Sequence, residues 1–129
     1  MGILAGLASY AIIGSLGLYL LKIGWADYAI ASKDKSYTLA MLLSRLLVGI
    51  LASIAAGISA AKISNDNVKS AWFVGAIVFC WAAYIHIFEV WTDYPIWYHL
   101  AYLLPIIPII GLSHYLIANG NIFKSDTDL

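Results

Sequence analysis

Charge is what this sequence has least of. Asp, Glu, Lys and Arg together make up 11% of its 129 residues, against about a quarter in soluble domains. What charge there is cancels, seven basic residues against seven acidic, which excludes the basic footprint of a nucleic-acid binder. A single cysteine, Cys80, excludes an intrachain disulfide and reads as a small buried apolar group. Also missing are a nucleophile with an adjacent base, a glycine-rich phosphate loop, and two histidines at zinc spacing on one helix. Ser113 and His114 make no such dyad, because sequence neighbours on a helix diverge by about 100°.

What the chain has in quantity is apolar length, at 63% hydrophobic residues. A membrane-crossing helix takes roughly 20 mostly apolar residues, so four of them use about 80 and leave no space for a separate soluble domain. The hydropathy pattern predicts spans over residues 3–21, 37–61, 71–90 and 96–118, with a polar tail over 119–129. The expected fold is all-α: an integral membrane, antiparallel four-helix bundle. The first span lacks the basic n-region of a secretory signal and reads as retained.

Punctuation between the spans is short. The SKDKS stretch, Ser32 to Ser36, reads as a compact turn, with Ser36 placed to cap the second span. Asn65, Asp66 and Asn67 mark the second connection. Pro105 and Pro108 are expected to bend the fourth span, and Asn119-Gly120 to stop it. Within the second span, Ser53, Gly57 and Ala61 fall four residues apart, a small-residue row that lets two helix backbones approach. Trp25, Tyr28, Trp72, Trp91, Tyr94, Trp97 and Tyr98 lie near span ends, where aromatic rings settle at the headgroup level.

Four spans put both termini on one side. Lys62, Lys69 and Lys124 on that side balance Lys22, Lys33 and Lys35 opposite, so positive charge does not choose an orientation. The Trp-, Tyr- and acid-rich segment over residues 89–98 favours the outside, which places both termini in the cytoplasm of a bacterial or archaeal cell membrane.

The sharpest polar feature is a stripe on the third span. Gly75, Phe79, Ala82, His86, Glu89 and Asp93 recur every three or four residues and share one helical face. Ionisable groups at this depth are costly and turn towards a partner inside the bundle. Arg45, eight residues into the second span, enters from the same side and is expected to pair with Glu89. Snorkelling of Arg45 to the headgroups and a ligand-binding role for it are the alternatives. Asp27, His86, Glu89, Asp93 and His99 gather on that side as a candidate ligand or metal cluster. The order His-x-x-Glu reverses the di-iron motif and has no second copy, so a hydrogen-bonded network or a proton- or quinone-handling site competes with a metal.

Three stretches carry a likeness to a known group: AAGISAAKIS, the YPIWYHLAYLL run with Pro95 and Trp97, and Pro108 with Gly111. In these the chain resembles small uncharacterised bacterial four-helix integral membrane proteins that share a short Pro-x-Trp segment between helices three and four. The resemblance covers about two thirds of the chain; the first loop departs from it, being compact here and longer and Pro-rich there. It implies the four-helix fold and no reaction.

Two functional classes follow. One is a non-enzymatic structural or accessory subunit or homo-oligomer, in contact with lipid and with other membrane subunits or itself, needing no cofactor. The other is a membrane-embedded site for a metal, a quinone or a small lipophilic ligand, built around His86, Glu89, Asp93 and His99.

Overall fold

The computed structural model describes residues 1–64 and 69–119. Asn65, Asp66, Asn67 and the polar tail beyond Asn119 lie outside the described residues. Among those described, the fold is all-α: α1 (Gly2–Gly24), α2 (Ala26–Asp34), α3 (Leu39–Ile63), α4 (Lys69–Tyr84) continued by a π-helical turn (Ile85–Glu89), α5 (Ile96–Leu103) and α6 (Ile106–Ala118). Four stretches, Gly2–Gly24, Leu39–Ile63, Lys69–Glu89 and Ile96–Ala118, are long and apolar enough to cross a membrane.

Small residues decide how these rods pack. Along α1, Gly2 meets Ala60 and Ser64, Gly6 meets Ala56, and Gly17 meets Val48 of α3, so the two run antiparallel. The hydroxyls of Ser9 and Ser59 close the same seam at 2.6 Å. On its other side α3 runs parallel to α6 and comes into backbone contact with it at Gly57. A Cβ placed there would lie 2.5 Å from the carbonyl oxygen of Ile110 and 2.7 Å from Cβ of Ser113, so only glycine lets the backbones meet. Ser53 and Ala61, on the same face, are buried with it. α4 touches α1 where Val74 packs on Gly6, and α6 where Gly75 packs on Ile107. Ala56, Ala60, Val74, Val78, Ile106 and Ile110 form the apolar centre.

The connections differ from the sequence expectation. SKDKS is not a bare turn: its first residues complete α2, which ends at Lys35 in the left-handed conformation (φ 62°) with its N–H on the Ala31 carbonyl. Ser36 does not cap α3. Its hydroxyl donates to Asp34 at 2.6 Å, which holds that carboxyl below its ordinary range, and Thr38 supplies the cap by accepting from the Met41 N–H. Pro105 breaks the last span into α5 and α6, as a missing backbone donor requires. Cys80 is exposed rather than buried, because Val78 and Ala82 on either side of it hold the inward face of α4.

Candidate functional site

Arg45 lies six residues past the start of α3, about 9 Å along it at 1.5 Å per residue. Its expected partner Glu89 is not there. Instead Nη1 donates to the Tyr28 hydroxyl at 2.6 Å and Nε donates to the Tyr98 hydroxyl at 3.1 Å. The guanidinium carbon stands 5.1 Å from the ring centre of Tyr37 and 5.3 Å from that of Tyr94, within the range of cation–π attraction. Four elements supply this cage: α2, the 35–38 connection, the 90–95 segment and α5.

Tyr28, Tyr94 and Tyr98 are therefore not members of an interfacial girdle; they are buried. Tyr37 stacks on Tyr94 at 5.6 Å and Tyr94 packs on Tyr98 at 4.8 Å. Burial raises the Tyr28 and Tyr94 hydroxyls above their ordinary range, and Arg45 opposes the shift without cancelling it. Both remain neutral at physiological pH. Trp72, Trp91 and Trp97 stay exposed, while Trp25 is half-buried against Tyr28.

The polar stripe survives only as far as His86. Val90 N–H bonds back to the Ile85 carbonyl, five residues earlier, at 3.1 Å. This wider turn carries Glu89 off the face that buries Gly75, Ala82 and His86, and Glu89 is exposed. Asp93 is half-buried and Asp27 is exposed on α2. Of the expected cluster, the fold unites two members: His86 and His99, with their Nδ1 atoms 2.7 Å apart. Among the described residues no group of three or more His, Cys, Asp or Glu is placed to hold a metal ion.

The pair has a defined proton arrangement. His99 Nε2 lies 3.1 Å from the Trp91 carbonyl, which can only accept, so His99 carries its proton there. Its Nδ1 then accepts from His86 Nδ1–H when both rings are neutral. Trp91 stacks on His99 at 4.8 Å and Tyr102 on His86 at 4.7 Å. Replacing His99 by leucine strands the His86 N–H and the Trp91 carbonyl, an expected loss of about 1–3 kcal/mol. The thermal unfolding midpoint in detergent reads it, and an unchanged midpoint contradicts the pairing.

Below the cage lies a cavity of about 480 Å³. Arg45, His86, Tyr94, Tyr98 and Tyr102 line its polar end, and apart from Tyr10 and Ser15 the rest is apolar: Leu7, Leu18, Val48, Ile77, Val78 and Trp81 among them. Tyr10 reaches across from α1 to bond the Tyr102 hydroxyl at 3.0 Å. The opening lies between α1 and α4, where Ala11, Ser15, Ile77 and Trp81 form an exposed rim. Compared with known protein families, curated proteins and solved structures, the chain matches none.

Tyr10 and Tyr37 carry no expectation from the sequence, where Tyr102 reads as one more ring of the girdle around the third loop. Tyr10 had a signal: it continues the four-residue row Gly2, Gly6, Tyr10, Gly14 that faces into the bundle. Tyr37 and Tyr102 had none, since at span edges an inward tyrosine and an interfacial one look alike in sequence.

Proposed function

We propose that this chain is an integral membrane protein that binds a lipophilic small molecule in the cavity between α1, α3 and α4, with the molecule's polar end at Arg45. One observation carries the reading: the cavity joins an apolar wall to a guanidinium that no carboxylate pairs with among the described residues. Its volume lies within the ~300–1,000 Å³ of ordinary ligand sites. Ionisable groups at membrane depth mark functional positions by default. His86 and His99 shape the polar end, whereas Glu89, Asp93 and Asp27 have no part in it. The accessory-subunit reading has less support, because Tyr28, Tyr94 and Tyr98 turn inward and are withdrawn from any partner surface. The likeness to small bacterial four-helix proteins agrees with the fold and adds no ligand.

Ser15 sits on the rim and is exposed, so Ser15→Trp fills the mouth without disturbing the core. Native mass spectrometry of delipidated protein incubated with a total bacterial lipid extract should show one bound species per chain for the wild type and none for Ser15→Trp. The same species bound equally to both proteins would place it outside the cavity.

A further inference from the structure

The guest's chemical class is legible in the cage. We propose that it is a single-chain amphiphile with an anionic oxygen head, a carboxylate or a phosphate, seated on Arg45 with its tail along α1. This rests on the cavity reading above and deepens it.

The head follows from donors and charge. A guanidinium carries five N–H donors in a planar fork. Nε and Nη1 each give one to a tyrosine hydroxyl, and no carboxylate takes the remainder among the described residues. Carboxylate and phosphate oxygens match that fork in geometry and in charge. A tyrosine adds to the match: a hydroxyl that accepts from Arg45 keeps its own O–H, so Tyr98, which lines the cavity, retains a donor for an anion. Among the described residues no acidic side chain lines the cavity, so an entering anion meets no like charge from them. A neutral head would leave the guanidinium uncompensated at a depth where charge is costly.

The tail follows from shape. From Leu18 to Leu7 the cavity wall runs along eleven residues of α1, about 16 Å at 1.5 Å per residue. That is a mostly apolar track along the helices, open sideways at Ser15 and Trp81. It suits one extended hydrocarbon chain entering from the lipid, and a volume of about 480 Å³ favours one chain over two.

Palmitate and hexadecanol share chain length and differ in head charge, and their binding to the wild-type protein in mild non-ionic detergent decides the matter. Palmitate should bind about ten- to a hundred-fold more tightly, the gain expected of hydrogen bonds to a charged group. Hexadecyl phosphate, run beside it, separates the two head chemistries, and a preference for either over hexadecanol supports the proposal. Arg45→Gln should bring the anionic ligands down to the level of hexadecanol; should that variant fail to fold, the wild-type comparison stands alone. Equal affinity for palmitate and hexadecanol, both lost in Ser15→Trp, overturns the anionic head and leaves the cavity reading intact. No binding of these three or of any lipid in the extract overturns both.

Discussion

Arg45→Met, Tyr28→Phe and the double variant should yield a coupling of about 1.5–3 kcal/mol in a double-mutant cycle, whereas the cycle pairing Arg45 with Glu89 should yield none. The first figure is the usual worth of a hydrogen bond to a charged group, here the 2.6 Å contact from Nη1 to the Tyr28 hydroxyl. The second follows from the exposure of Glu89: surface substitutions stay within about 0.5 kcal/mol. The size of the loss on the single Arg45→Met change separates two pictures. Breaking a buried ion pair strands a charge and costs about 3–5 kcal/mol. Removing a guanidinium held by neutral tyrosines strands only hydroxyls, so the loss should stay below that range. Urea or thermal unfolding in a fixed detergent measures all of these, and a strong Arg45–Glu89 coupling would contradict the cage.

Gly57→Ala should lower stability by about 1–3 kcal/mol, the usual cost of overpacking a close contact, and Gly57→Leu should prevent the bundle from assembling. The new Cβ would stand 2.5 Å from a backbone oxygen of Ile110 and 3.1 Å from the backbone nitrogen of His114. Neither can swing aside as a side chain would; α3 and α6 must separate. Gly111 supplies the control, being helical with nothing within 4 Å of its Cβ position. Gly111→Ala should raise stability by up to about 1 kcal/mol through helix propensity alone. Opposite shifts in the unfolding midpoint for the same chemical change are the expected result; equal shifts would mean that α3 and α6 do not meet at Gly57.

Much of this arrangement was legible in the sequence, and the reasons for the remainder are physical. Hydropathy over some 20-residue stretches specifies the all-α, four-helix class, because a long apolar run has few other ways to satisfy its backbone. Helical spacing likewise brought Gly75, Ala82 and His86 onto one buried face. It failed three residues later, since nothing in Ile85–Glu89 announces the π-helical turn that rotates Glu89 outward. That single extra residue per turn is why the expected ion pair does not form. The tyrosines failed for another reason. Tyr28, Tyr94 and Tyr98 sit at helix ends, where depth is readable from hydropathy but the direction of the ring is not. Depth alone groups Asp27, Asp93 and His99 as well, and only His99 points at His86. Depth is a one-dimensional signal, and a site needs the angle too.

Arg45 is the only arginine in the chain, which makes the central claim open to one direct measurement. Protein labelled with ¹⁵N at arginine, reconstituted in bilayers with palmitate carrying ¹³C at the carboxyl, reports the guanidinium–carboxylate separation by solid-state dipolar recoupling. A separation of about 4 Å, as a hydrogen-bonded guanidinium–carboxylate pair requires, lost on Ser15→Trp, is the result expected of a head seated in the tyrosine cage. A labelled guanidinium with no dipolar contact to the carboxyl at saturating palmitate, or one that is unchanged in the blocked variant, would contradict it.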